Sequence, residues 1–277
     1  MLLVNSKNLL KEALKGEYAI GAYNINNLEW TKYILEACEE DRAPVILGVT
    51  PSAISYFGGY DVVFSVVKSL IKDLNITIPV VLHLDHGKSF LDCKKAIDAG
   101  FTSVMLDASD LSLDENIKIT NEVIEYAINK NISVEAEIGS LDENDMTDVS
   151  LANEFYNKTN VDSLAPSVGN KHGIYKGDVK LEFEILGEIS KDLKIPLVLH
   201  GASGLDDNKI KTAIFCGVSK INVNTDFQIA FSKAIRGFLD YNKEEYDPRK
   251  IIGSAEAAIK KVVHKKNELF GSKNKAI

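Results

Sequence analysis

Ile78-Pro79-Val80-Val81-Leu82-His83-Leu84-Asp85-His86-Gly87 is an apolar, β-branched run that follows a proline and ends on two imidazoles, a carboxylate and a glycine. A run bounded in this way reads as a buried strand. Successive side chains of a strand alternate faces, so His83 and Asp85 share one face while Leu82, Leu84 and His86 share the other. A turn at the end of the strand would re-aim His86 towards Asp85, and Gly87 is expected to permit that sharp exit.

Working outward, the same alternation of apolar strand and amphipathic helix recurs along the chain. Residues 6–15 read as a leading helix, 18–23 and 44–49 as strands, and 28–40 and 61–74 as helices. After the central strand come a helix over 89–99, closed by Gly100 as a C-terminal cap, and strands over 102–107 and 132–138 separated by a helix over 113–130. A short helix leads to a strand at 162–166, a helix at 181–193, a strand at 195–200, a helix at 206–215 and a last strand at 219–225. Helices over 226–241 and 255–266 close the chain, with Asp247-Pro248-Arg249 in the loop between them. Strands that alternate with helices need right-handed crossovers and a parallel sheet, and eight such units close into a barrel. No GxGxxG opens a helix after an early strand, which speaks against a doubly wound open sheet. The expectation is an α/β fold, a (β/α)8 barrel with extra terminal helices. Residues 1–277 are expected to form a single domain, since 277 residues with 45% hydrophobic content suffice for such a barrel and no repeat or linker divides them.

A formal charge of −8 argues against a nucleic-acid surface and gives no reason to expect attachment to an anionic membrane. The amino terminus reads as neither a signal peptide nor a spanning segment, so a cytoplasmic protein is expected. Cys38, Cys93 and Cys216 form no CxxC pair and read as reduced thiols packed as small hydrophobes.

The five histidines are unevenly placed: His83 and His86 end one strand, His200 ends another, His172 lies in Gly169-Asn170-Lys171-His172-Gly173, and His264 lies in a Lys-rich helix. A lone histidine at a strand end is usually structural. Four of five at strand ends or in Gly-flanked loops point instead to a shared zinc ion, because three neutral imidazoles and one open position make a catalytic zinc pattern. In a barrel the site is built at the carboxyl ends of the strands, where Asn24, Thr50, Asp85, Asp107, Glu137, His172, His200 and Asn222 fall. Asp85 can reach a proton on a metal-held substrate, or it can orient an imidazole. His83, deeper in its strand, is assigned to support of the ligands. Asp107 and Glu137 read equally as a second metal site or as caps of the following turns. Gly173-Ile174-Tyr175-Lys176-Gly177, Gly201-Ala202-Ser203-Gly204 and Asn222-Val223-Asn224-Thr225 each set small residues, hydroxyls or free N–H groups at a strand end before a helix. That is how a backbone holds phosphate, so the substrate is expected to be a phosphorylated carbonyl compound.

The strings Asp85-His86, Gly169 through Gly177, His200 through Gly204 and Ile221 through Thr225, with Tyr246-Asp247-Pro248-Arg249-Lys250 near the end, resemble the class II, zinc-dependent ketose-bisphosphate aldolases in order and over nearly the whole chain. The resemblance implies zinc held by His86, His172 and His200, with Asp107 and Glu137 at a secondary metal position. It implies that Asp85 is the acid/base at the C4 hydroxyl of the ketose. It gives the dihydroxyacetone-phosphate end to Gly173, Lys176, Gly201, Ala202 and Ser203, and to Asn222, Val223, Asn224 and Thr225. Asn24 and Thr50 match substrate-side positions, Thr50 standing where the family often has Ser. Arg249 matches an arginine that in relatives reaches the other phosphate from a neighbouring subunit, so a homodimer or homotetramer is expected; its simpler reading is a solvated turn residue. A second divalent ion and a monovalent cation join zinc as expected cofactors. The implied reaction is reversible aldol cleavage of fructose 1,6-bisphosphate to dihydroxyacetone phosphate and glyceraldehyde 3-phosphate. Tagatose 1,6-bisphosphate is the alternative substrate, although Asn222-Val223-Asn224-Thr225-Asp226 looks more like the fructose subgroup.

One departure from the family stands out. After Glu137-Ile138-Gly139 a Gly-Gly pair is usual before a run of acidic residues, and here the chain reads Ser140-Leu141-Asp142-Glu143-Asn144-Asp145. Glu143 is expected to move the proton at C1 of the triose fragment, with Asp142 and Asp145 as alternatives. Three rival readings remain. A Schiff-base aldolase needs a lysine pointing into the barrel, and Lys220 is expected to open the last strand instead of ending it. A zinc hydrolase would use the metal to make hydroxide. A phosphosugar-binding protein would bind without turnover.

Overall fold

The computed structural model describes residues 3–139, 147–170, 173 and 179–276. Its strands are β1 (Ile20–Asn24), β2 (Val45–Val49), β3 (Val80–Gly87), β4 (Ser103–Leu106), β5 (Ser133–Ile138), β6 (Ser163–Pro166), β7 (Leu197–Leu199) and β8 (Val218–Val223). They pair in parallel in chain order, and β8 returns to β1 to close the barrel. The (β/α)8 architecture predicted from the alternation is therefore the observed one.

Around the strands run α1 (Lys7–Lys15), α2 (Leu28–Glu40), α3 (Pro51–Phe57), α4 (Tyr60–Asp73), α5 (Phe90–Ala99), α6 (Leu113–Ile128) and α7 (Val149–Thr159). They continue with α8 (Phe183–Leu193), α9 (Asp207–Phe215), α10 (Thr225–Tyr241), α11 (Pro248–Gly253) and α12 (Glu256–Phe270). Helices α5 and α9 start one residue later than the hydrophobic pattern suggests, because Ser89 and Asp206 are caps whose side chains accept from the N–H groups of Asp92 and Asn208. The short helices α3 and α11 were not expected. Each opens on a cap followed by proline, Thr50-Pro51 and Asp247-Pro248, and proline at the first helical position sacrifices only an N–H that would be unsatisfied anyway.

The core has two parts. Leu82, Leu84, Val104, Leu106 and Ile138 face outward and join the large apolar layer between barrel and helices. Inside the barrel, Ile20, Ala22, Ile46 and Val81 pack on Leu10 and Ala13 of α1, which plugs the amino end. Each fully buried leucine, isoleucine or valine among them contributes about 1.5–3 kcal/mol. Above the plug the interior turns polar, with His83, Ser103, Glu135, Ser163 and Lys220 all buried. The expectation for Lys220 is corrected here. β8 begins at Val218 and pairs Lys220 with Ile20, and the lysine side chain, 1% exposed, runs inside the barrel. Among the described residues no single helix is long and apolar enough to cross a membrane.

Candidate active site

β3 carries the centre of the site, by a different device from the one expected. The strand continues through Gly87, and His86 itself adopts the left-handed conformation, with φ +52°, where the register against β4 shifts between Leu84 and Gly87. This bulge turns His86 towards the barrel mouth beside Asp85 instead of leaving it among the outward leucines. Gly87 is needed for room: a Cβ there would lie 2.7 Å from Leu84 Cδ2 and 2.9 Å from the Met105 carbonyl oxygen.

Asp85, 3% exposed, is gripped from both sides. Asn24 of β1 donates to its Oδ2 at 2.8 Å and Asn222 of β8 to its Oδ1 at 3.0 Å. His86 Nε2 stands 3.9 Å from Oδ1. On its other side His86 Nδ1 lies 2.8 Å from Asp107 Oδ2 and 3.9 Å from Glu137 Oε2. Asp107 also accepts from Lys88 at 2.8 Å and from Ser109 at 2.7 Å. His200, 1% exposed, sets its ring 4.7 Å from that of His86, edge to face.

Two overlapping donor groups result. Asp85, His86 and His200 bring one ligand atom each within 4.8 Å of one another, and so do His86, Asp107 and Glu137. The charges around them show that a cation suits this place. Glu137 is raised to about 8, first by burial and then by the Asp107 charge, and its buried Oε2 has no hydrogen-bond partner among the described residues. Burial works against the charged form of His86, yet Asp85, Asp107 and Glu137 together raise it to about 9. Asp85 is likewise opposed by burial but is held down at about 2 by the neighbouring imidazoles and Lys220. Asp107 lies well below the carboxylate range because hydrogen bonds from His86, Lys88 and Ser109 outweigh its burial. A donor set of imidazoles and carboxylates with this surplus of negative charge fits a divalent metal.

The remaining expected residues divide. Thr50, Gly173, Gly201, Ser203, Asn224 and Thr225 line a cleft with Asn24, Asp85, His86 and Asn222. Gly201 has φ +63°, and Ser203 Oγ accepts from the Asp226 N–H at 3.4 Å, tying the β7 loop to the start of α10. Asn224 does not cap α10 with its side chain; of the first N–H groups of that helix, that of Asp226 goes to Ser203 Oγ and that of Phe227 to the Asn224 carbonyl. Ala202 and Val223 are buried in the outer apolar layer and are not among the residues that line the cleft. Arg249 is not in the cleft: its guanidinium is 89% exposed and forks onto Asp247 at 3.0 and 2.8 Å. His172, Lys176 and Glu143 fall outside the described residues.

His83 stands outside both donor groups. Its Nδ1 is 2.8 Å from Ser103 Oγ, and burial followed by the Lys220 charge lowers its pKa well below the imidazole range. Sequence reasoning missed Glu135 and weighed Lys220 only as the lysine of a Schiff-base aldolase. The signal was present, since period-two alternation sets Glu135 two residues beneath Glu137 and Lys220 two beneath Asn222 on the inward face.

Fold and donor set define the class: a (β/α)8 barrel enzyme whose mouth can hold a divalent metal beside a buried, ionised carboxylate. The chain belongs to the class-II fructose-bisphosphate aldolase family, whose profile matches residues 4–275, and it is therefore a carbon–carbon lyase. It is 51% identical to the fructose-bisphosphate aldolase of Geobacillus stearothermophilus, covering 100% of this chain and 99% of that one. It is 50% identical to that of Staphylococcus aureus strain Mu50, covering 100% of both. Among solved structures, the YdjI aldolase of Escherichia coli K12 superposes with a TM-score of 0.89 at 33% identity, covering 99% of this chain and 100% of that one.

Proposed function

We propose that the chain works as one barrel domain that cleaves fructose 1,6-bisphosphate reversibly to dihydroxyacetone phosphate and glyceraldehyde 3-phosphate, with zinc held by His86, His200 and His172. The observation that carries this reading is Asp85: a buried carboxylate, held ionised and pinned by Asn24 and Asn222, beside two imidazoles that can ligate a metal. Asp85 takes the proton of the C4 hydroxyl, and its two amide partners fix the oxygen that receives it. A divalent ion bound here would polarise the C2 carbonyl and take up the negative charge that develops as the C3–C4 bond breaks. Glu143, or Asp142 or Asp145, then returns a proton to the three-carbon fragment. Asp107 and Glu137 offer a second position for a divalent ion.

Gly173, Lys176, the Gly201–Ser203 loop and the Asn222–Thr225 segment bind the phosphate of the dihydroxyacetone end, with Asn24 and Thr50 beside the sugar. Arg249, exposed and held by Asp247, suits a role at the cleft of a second copy in a homodimer or homotetramer. A phosphorylated sugar as substrate suits a cytoplasmic enzyme.

The test compares kcat/KM for fructose and tagatose 1,6-bisphosphates, each with and without a chelator. Fructose should be preferred, with activity lost on chelation and restored by zinc. Preference for tagatose would reassign the sugar, activity indifferent to chelation would remove the metal, and failure to release any triose would favour a hydrolase.

A further inference from the structure

One layer beneath the site lies a buried polar cluster that the proposed reaction does not use. Lys220, 1% exposed, sends its ammonium to three acceptors inside the barrel: Glu135 Oε1 at 2.9 Å, Glu135 Oε2 at 2.8 Å and His83 Nε2 at 3.2 Å. An ammonium can only donate, and this fixes the hydrogen bonding around it. His83 Nε2 must carry a lone pair, so Nδ1 carries the proton and donates to Ser103 Oγ at 2.8 Å. Glu135 accepts from the lysine through both of its oxygens, so in the contact with His200 Nε2, 3.0 Å from Oε1, the imidazole is the donor. The lone pair of His200 is thereby placed on Nδ1. That nitrogen is on the Asp85 side, 3.2 Å from the same Asn222 amide that donates to Asp85.

We propose that Lys220 is a positioning residue for the metal centre, acting through Glu135 to hold the ring of His200 with Nδ1 turned to the ion. The proposal rests on the reading of His200 as a metal ligand. A ligating imidazole is oriented by the group that accepts its other N–H, and loss of such a group commonly weakens metal binding about 10–100-fold. Here that acceptor is itself oriented, by a lysine two residues below the cleft-lining Asn222 on β8.

The test uses metal-stripped full-length protein, with zinc affinity measured by competition against a chromophoric chelator and ligand geometry read from the visible spectrum of the cobalt-loaded form. K220M should bind zinc about 10–100-fold more weakly with a shifted cobalt spectrum, and E135Q should change both in the same direction. The double variant should be little weaker than either single one, because the two groups act in series. Wild-type affinity and spectrum in a folded K220M overturn the proposal. If K220M does not fold, the near-isosteric E135Q decides in its place, with wild-type values again overturning it. H200A separates the two readings: wild-type zinc affinity in H200A removes His200 as a ligand, whereas weakened binding in H200A with none in K220M removes only the role of Lys220.

Discussion

Asn222 on β8 donates to Asp85 on β3 across 3.0 Å, so the carboxylate of the site is held by a strand three places away round the barrel. With Asn24 on the other oxygen at 2.8 Å, the carboxylate has little freedom to rotate. D85A should therefore reduce turnover by about two to four orders of magnitude, the usual effect of removing a positioned general base, with zinc content by elemental analysis unchanged. N222A should give a smaller loss that falls mainly on kcat. Normal turnover in D85A would exclude it as the base.

Metal removal should be visible in stability as well as activity. A ligand that binds only the folded state stabilises it, by about 2.7 kcal/mol when free ligand is 100 times its dissociation constant. Titrating zinc into metal-stripped protein should raise Tm progressively, and H86A should lose most of that rise, because His86 belongs to both donor groups. An equal zinc-dependent rise in H86A would show that the ion sits elsewhere.

Most of this arrangement was legible in the sequence, and the parts that were not share a physical cause. Period-two alternation correctly sends Leu82 and Leu84 out and His83 and Asp85 in, because a strand has no freedom over which face a residue takes. His86 breaks that rule through a positive φ, which is a single-residue backbone choice without a dependable mark in an apolar run. The inward lysine was misjudged because a boundary two residues away, at Val218, decides whether Lys220 opens the strand or fills it. Glu135 went unnoticed since a buried carboxylate looks like any other acidic residue until its lysine partner, 85 positions along, is brought beside it. The Thr-Pro and Asp-Pro starts of α3 and α11 were readable from local chemistry alone.

The His86 bulge also makes Gly87 sensitive. G87A adds a methyl group that must push Leu84 or the Met105 carbonyl, both of which pack in the wall of the barrel. The expected cost is about 1–3 kcal/mol, measured as a lowered urea midpoint, with weaker zinc binding because His86 shifts along with the backbone. A midpoint and a zinc affinity both equal to wild type would show that the bulge tolerates a side chain.

Asp41 offers a test of stability away from the active site. It ends α2 at 3% exposure, and its carboxylate holds the C-terminal helix: Oδ2 accepts from His264 at 2.9 Å and Asn267 at 3.0 Å, and Oδ1 from Lys273 at 3.0 Å. Burial opposes the charge, but these hydrogen bonds, Asn267 foremost, lower its pKa below the ordinary value. A carboxyl depressed in the folded state contributes stability that is fully present above its unfolded value of about 3.9 and is lost as pH falls through the folded value. D41N removes the charge without removing the side chain's bulk. The wild type should therefore exceed D41N in urea midpoint at about pH 6, and the gap should narrow by about pH 3 as Asp41 itself becomes protonated. A gap of the same size at both pH values would mean that shape and hydrogen bonding, not the carboxylate charge, anchor α12.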